Sequence, residues 1–437
     1  MTRRVVITGM GWITPLGHDI EGAWKRLLAG ESGVSPTEIF DARTFPTKFS
    51  AQVKHFDLAK FLEAPEYETH REVSRQAGFA LAAAKVAWRE SGLGNAKNLD
   101  RTQVGVYLGS GEGPLDFDNF AAAAVDSWDF AAGRLDTRPW AEIAQARFRK
   151  SVEIEQEPNM AAAHVATLFG VEGPNFNTLT ACAASTQAIG EATNVIRRGD
   201  ADVMISGGCH SMIHPLGTTG FNLLTALSTR NDSPTTASRP FDRTRDGFVL
   251  GEGAGMIILE ELAHAKARGA RILAEITGYG STADAFRITD IHEDGRGGTA
   301  SMRLALRDAH VEPQDIDYIS AHGTGTREND KIETLAIRTV FGELAKKVPV
   351  SSVKSMFGHL IAAAGVCELI TCVLAIRDGI LPPTMNYTTP DPLCDLDYVP
   401  NKARKANVQR CLSNSFGFGG QNDTLVVVAF SEQPPKE

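Results

Sequence analysis

Short apolar runs that end in glycine recur along the chain, and stretches with apolar residues at helical spacing lie between them. Val5–Thr8 predicts a buried strand closed by the turn Gly9-Met10-Gly11, and Ile20–Ala29 predicts a helix. Residues 45–62 read as irregular, with short strand pieces. Val73–Ser91 predicts a long Ala-rich helix, and Val104–Leu108 a second core strand that ends in Gly109-Ser110-Gly111-Glu112-Gly113. Residues 115–155 lose the pattern. Asp116, Asp118, Asp126, Asp129 and Asp136 lie there among aromatics, which predicts a surface excursion with its own helices. Asn159–Phe169 reads as a helix. A strand side, Gly173–Phe176, then leads through Asn177–Ser185 into the helical stripe Ala188, Ile189, Ala192, Val195 and Ile196, and Ala201–Gly207 follows as another strand.

From residue 240 the pattern partly begins again. Arg271–Gly280 echoes Arg4–Gly11, and Ile316–Gly323 echoes Val104–Gly111. Val348–Val353, with Lys354–Gly365 and the helix Val366–Ile376, echoes the strand, turn and helix around Cys182. Three strand–turn units in the same order imply an internal duplication. Strands alternating with helices imply a layered α/β fold, with mostly parallel sheets covered by helices. The expected halves are residues 1–259 and 260–437. In open α/β sheets chemistry gathers at the carboxyl ends of strands, which places Cys182, His322 and the Lys354–His359 turn at such ends.

The composition narrows the function. The chain has 437 residues, 43% hydrophobic and 22% charged, which suits an ordinary globular protein. A formal net charge of −9 argues against a nucleic-acid footprint or binding to an anionic membrane. The six cysteines form no CxxC pair or zinc-spaced cluster, so no metal site is expected, and their scatter suits a reducing cytoplasm. The first residues run straight into a strand without a signal-like apolar region, and no apolar run is long enough to span a membrane.

Cys182 lies where a strand turns into a helix, a place that favours a thiolate. Of eleven histidines, His18, His55, His70, His264, His292 and His310 lie in polar contexts expected at the surface or at caps. His322 lies in a turn of small residues, Ala321-His322-Gly323-Thr324-Gly325-Thr326, open to close approach by a substrate. It equally fits a satisfied strand-end histidine. His359, before an apolar helix, equally fits a helix-start cap. A cysteine with separated histidines is a nucleophile arrangement that does not by itself name a reaction.

Five ordered motifs go further. Thr180–Ser185, Ser238–Asp242 with Arg245–Gly253, Ala321–Thr326 with Asp330, Lys354–His359, and Asn414–Gly420 together resemble the β-ketoacyl-acyl-carrier-protein synthases of the elongating, Cys-His-His type, from Val5 to about Phe430. The resemblance implies a thiolase-like αβαβα fold from two duplicated βαβαβ halves. The first half would carry the nucleophile; the second would carry the histidines and a gating loop. It also implies a homodimer and a partner acyl carrier protein whose phosphopantetheine brings the substrate, with no bound cofactor. By the same resemblance Cys182 takes up the acyl group, and the backbone N–H groups of Cys182 and Phe418 hold the oxyanion. Phe418 also gates the acyl pocket. His322 and His359 stabilise the enolate left when a malonyl extender loses CO2. Lys354 keeps both histidines neutral, Glu333 partners this lysine, and Thr324 and Thr326 reach the pantetheine amides.

The chain also departs from the family pattern. Glu112 stands where the family usually has an apolar residue at the acyl pocket, which implies either a polar pocket or a side chain turned outward. The largely acidic stretch Leu62–Arg71 stands where a basic carrier-docking cluster is usual, so electrostatic steering is in doubt unless this is merely a solvated loop. Residues 115–155 are longer and more acidic than usual, and Phe357 and Gln421 replace threonines. These departures suit a specialised synthase. A polyketide-type ketosynthase with a dedicated carrier, a non-catalytic pocket-shaping subunit and a Cys-His hydrolase are the alternatives.

Overall fold

The computed structural model describes residues 3–287 and 291–432, so the extreme ends of both expected halves lie outside it. Ten strands form the main sheet: β1 Val5–Ile13, β2 Val104–Ser110, β3 Asn175–Thr178, β4 Val203–His210, β5 Gly253–Glu261, β6 Ala274–Ala283, β7 Tyr318–Ser320, β8 Val350–Ser351, β9 Arg410–Phe416 and β10 Gln421–Val428. The helices that matter here are α1 Arg75–Ser91, α2 Met160–Phe169, α3 Ala184–Arg198, α4 Pro215–Leu223, α5 Arg296–Asp308, α6 Arg327–Phe341 and α7 Ala364–Asp378.

The sheet runs β8-β7-β9-β10-β6-β1-β5-β4-β2-β3. Read outward from the centre, its two halves have the same strand order. The halves join where β6 pairs antiparallel with β1, Val5 opposite Ile276. Within each half, parallel pairs (β4·β2·β3 and β9·β7·β8) adjoin an antiparallel meander. The three sequence echoes are therefore equivalent strands: β1 with β6, β2 with β7, and β3 with β8.

Helices form three layers, separated by the two half-sheets. α1 and α2 cover the first half-sheet from outside, α5 and α6 the second, and α3 packs on α7 between them. The central position explains why α7 is small or apolar almost all round, whereas α3 keeps a polar stripe, Gln187, Glu191, Asn194 and Arg198, away from it. The two are built alike. Each has 15 residues, follows a short 3-10 turn, and ends at a left-handed glycine, Gly199 or Gly379. The residues opening those turns, Ala181 and Ile361, have φ of 48° and 47°.

The first strand is longer than its glycines suggest. β1 runs through Gly9 and Gly11 to Ile13 instead of turning there. A Cβ at Gly9 would lie 2.1 Å from the Ala87 carbonyl oxygen, and one at Gly11 2.3 Å from that of Ala83. The glycines let α1 press against the strand; they do not end it. Gly278 and Gly280 do the same for α5 on β6, each 2.1 Å from a helix carbonyl. Residues 115–155 form the expected excursion, with helices Phe117–Asp126, Thr137–Arg147 and Lys150–Ile154.

Candidate active site

The nucleophile turn is set by close packing. A Cβ at Gly109, near the end of β2, would lie 2.3 Å from the Ala184 carbonyl carbon and 2.4 Å from the Ser185 nitrogen. Glycine there seats the start of α3 directly on the strand. Gly417 does the same from the other half, 3.4 Å from the Cys182 nitrogen by the same measure. Thus the loop carrying Phe418 lies against the Cys182 backbone. The N–H groups of Phe418 and of Cys182 itself both favour charge on the Cys182 sulfur.

The histidines arrive from the second half. His322 follows β7, and its loop is pinned by two buried acids on α6. Glu333 accepts the N–H groups of His322 and Gly323 at 2.8 and 2.7 Å, and the Asn414 amide at 3.3 Å. Asp330 accepts those of Phe241 at 2.7 Å and Gly325 at 3.2 Å, with Arg245 3.6 Å away. His359 is tied to the first half by its own N–H, which donates to the Val249 carbonyl at 2.7 Å. Its Nε2 lies 3.1 Å from Cys182 Sγ, and the two imidazole centroids are 5.4 Å apart.

Both rings have fixed tautomers. Lys354 Nζ donates to the His322 carbonyl at 2.6 Å and faces His322 Nδ1 at 3.3 Å. The Ile361 N–H faces His359 Nδ1 at 3.3 Å. A ring nitrogen that accepts leaves the proton on the other, so both Nε2–H bonds point into the site. Burial, then the Lys354 charge, holds both histidines well below the ordinary imidazole value, so they are neutral.

Lys354 is 2% exposed and its ion-pair partner is Glu368 on α7. This corrects the expected pairing with Glu333, which instead orients the His322 loop. Burial pushes Glu333 and Glu368 each up to about 7. Glu368 and Asn414 were missed. A single acid inside the apolar run Val366–Ala375 is a sequence signal for Glu368, because a buried charge needs a partner.

Cys182 departs from expectation as well. Burial pushes its thiol up to about 11, outweighing Lys354 and the two N–H groups. The helix end alone does not make a resting thiolate.

Cys182, His322, His359, Thr324, Thr326 and Phe418 line one cavity of about 440 Å³. Thr324 and Thr326 hydroxyls are hydrogen-bonded at 2.9 Å. Apolar Ile213, Leu227, Phe248, Leu250 and Ile361 pack around Cys182. Glu112 does not line this cavity. Its side chain is 66% exposed and faces His210 at 3.9 Å, so the outward alternative holds within this chain. Among the described residues, Cys182, His322 and His359 place ligand atoms within 4.8 Å of one another. Metal binding there would require both Nε2 atoms to lose the protons their neighbours enforce, so the triad fits donation to an oxyanion better than a metal. All six cysteines are free and buried.

The chain is similar to known proteins along nearly its whole length. The family models for the N-terminal and C-terminal domains of beta-ketoacyl synthase match residues 2–265 and 273–388. The chain is 44% identical to a 3-oxoacyl-[acyl-carrier-protein] synthase 2 of Coxiella burnetii, over 97% of this chain and 98% of that protein. It is 42% identical to the protein of the same name in Vibrio harveyi, over 98% and 99%. A beta-ketoacyl synthase crystal structure from Burkholderia phymatum superposes with a TM-score of 0.86 at 32% identity, over 98% of this chain and all of that one. A type II polyketide ketosynthase, solved with its acyl-carrier protein and bound to a hexaketide, also gives 0.86, at 34% identity over 99% and 100%.

Proposed function

Because the chain belongs to the beta-ketoacyl synthase family, we propose that the groups gathered at Cys182 divide between them the two half-reactions of a decarboxylative Claisen condensation. The enzyme is an acyltransferase that joins an acyl group to a malonyl-carrier thioester and forms a 3-oxoacyl-carrier product. The Cys182 sulfur attacks the acyl thioester carbonyl. The N–H groups of Cys182 and Phe418 hold the tetrahedral oxyanion. Collapse forms the Cys182 thioester and expels the pantetheine thiol, which takes up the proton that Cys182 loses. Thr324 and Thr326 serve the incoming pantetheine.

The malonyl thioester oxygen then accepts from the Nε2–H groups of His322 and His359. Cleavage of the bond to its carboxylate releases CO2 and leaves an enolate, whose charge grows toward both donors. The enolate carbon attacks the acyl-Cys182 carbonyl, and the sulfur leaves and regains a proton. Neutral imidazoles suit the step because they donate without carrying charge of their own. The carrying observation is the convergence of two enforced Nε2–H donors on the cavity that holds Cys182.

Residues 1–259 supply the nucleophile, and residues 260–437 supply the histidines and the Phe418 loop. The substrate arrives on the phosphopantetheine of an acyl carrier protein, and no resident cofactor is needed. A second copy pairs at the open edge strand β3, where Phe176 is 48% exposed and Leu179 46%. Among the described residues no helix is long and apolar enough to cross a membrane; the cytoplasm is the proposed location. A polyketide-type pathway is the second possibility, favoured by the ketosynthase neighbour above.

Intact-mass measurement tests the assignment. Wild-type protein given an acyl-carrier thioester gains one acyl mass, and Cys182→Ala gains none. Equal acylation of the variant would sink the role of Cys182.

A further inference from the structure

α4 stands at the rim of the catalytic cavity with one face bare. Leu216, Gly220 and Leu223 are spaced four and three residues apart, so they share that face. Leu216 is 52% and Leu223 79% exposed, and Leu224, just past the helix, is 49% exposed. An added Cβ at Gly220 would meet nothing within 4 Å. The face is thus two leucines flanking a dent, a shape that accepts side chains from another helix. The other face is held in place: Gly217 and Thr218 are buried, and Phe221 packs edge-on against Phe248 at 5.5 Å. Phe248 in turn meets His359 at 5.1 Å.

The patch is continuous with the site, because Leu224 and Thr225 line the same cavity as Cys182. Cys182 is 5% exposed, so a thioester reaches it on an arm, and whatever holds the arm rests on the rim. The charges at the rim offer an acidic visitor little. The cavity's charged lining residues are Asp246, Arg327 and Glu328. Asp246 is paired with Arg239, and Glu328 with Lys331. Among the described residues this leaves Arg327 as a lone cation at the rim, on a chain of net charge −9.

We propose that the Leu216–Leu224 face is the docking surface for the acyl carrier protein, and that it binds an apolar helix face of the carrier instead of steering it by charge. The inference rests on the condensing-enzyme function above and specifies its partner contact. An apolar contact of this kind is little affected by salt, whereas a charge-steered one weakens steeply.

The test uses full-length protein and two octanoyl donors: a bacterial fatty-acid acyl carrier protein loaded through phosphopantetheine, and octanoyl-N-acetylcysteamine, which has no carrier. Leu223 lies outside the cavity lining, so Leu223→Asp should leave acylation by the small donor unchanged. It should raise KM for the loaded carrier by about tenfold or more, as expected for a central contact residue, with kcat held and Leu223→Met near wild type. Wild-type KM for the carrier should change less than about threefold between 50 and 500 mM salt. An unchanged carrier KM in Leu223→Asp, or a steep salt dependence in wild type, overturns the proposal. A Leu223→Asp protein that loses its native oligomeric mass would make the face a contact between copies and also overturn it, as would wild-type protein that uses the small donor but not the carrier. Wild-type protein acylated by neither donor would defeat the condensing-enzyme function itself.

Discussion

Replacing Lys354 with methionine separates what the lysine does for chemistry from what it does for folding. Its Nζ faces His322 Nδ1 at 3.3 Å and so keeps the His322 proton on Nε2. Without that donor the ring is free to carry its proton on Nδ1, turning a lone pair toward the enolate. Loss of one oxyanion donor slows a reaction by about 10²–10³, or roughly 3–4 kcal/mol. Acylation of Cys182 depends instead on the N–H groups of Cys182 and Phe418. It should fall far less, through the lost pull of the Lys354 charge on the thiol. The assay compares CO2 release from malonyl thioester with single-turnover acylation followed by mass. Decarboxylation should drop by about 10²–10³ and acylation by less than about tenfold. Equal losses in the two steps, or decarboxylation within tenfold of wild type, would refute the tautomer argument.

The same variant strands Glu368, which is 1% exposed. Breaking a buried ion pair costs about 3–5 kcal/mol. Even beside the lysine, the Glu368 carboxyl is raised from 4.5 to about 7, and removing the cation raises it further. A carboxyl whose native value is raised favours the fold when protonated, below its unfolded value, and that advantage is lost as pH rises through the native value. The deficit of Lys354→Met should therefore grow as pH rises above about 7 and shrink by pH 6. Adding Glu368→Gln should restore stability without restoring decarboxylation. Recovery of both would make the lysine purely structural.

Further perturbations probe other parts of the site and the fold. His322→Ala and His359→Ala should each still accept an acyl group on Cys182, while malonyl decarboxylation falls by about 10²-fold or more; full condensation in either would contradict its role. Asp423 is fully buried, with one carboxylate oxygen bonded to the Tyr279 hydroxyl at 2.9 Å and the other unpartnered, and burial raises it from 3.8 to about 7. Its protonated form favours the native state, so wild type loses stability as pH climbs to about 7. Asp423→Asn should gain on wild type by about 2 kcal/mol between pH 5 and pH 7, and a pH-independent difference in urea unfolding would rule this out. Gly109→Ala should cost about 1–3 kcal/mol by pushing on the start of α3 and should slow Cys182 acylation; wild-type acylation with wild-type urea midpoints would show that the close packing is not needed.

Much of this was legible in the sequence because it is local. Strand–glycine units and helical periodicity exposed the duplication, and the motifs around Cys182, His322, Lys354 and His359 marked turns that do converge on one cavity. What failed depended on distance through space. Gly9 and Gly11 read as a turn, because the sequence does not show that α1 presses on them. Glu333 read as the partner of Lys354 by family resemblance alone; which acid reaches Nζ depends on how α7 sits between the half-sheets. Cys182 read as a thiolate from its helix end, because desolvation by the surrounding apolar cluster is a property of the packed core.

The paired 3-10 turns place the nucleophile in a wider frame. Aligning Ala181 with Ile361 sets Cys182 opposite Ala362, an alanine that takes no part in the chemistry. The second elbow is bent the same way, with its first residue at almost the same φ, although it holds no nucleophile. Left-handed backbone at a residue with a side chain is often read as tension stored for a reaction. Here it belongs to the repeated scaffold. Catalysis occupies one of two elbows that the duplicated fold supplies, so the bend at Ala181 is an inheritance of the architecture and is not evidence of ground-state strain at Cys182.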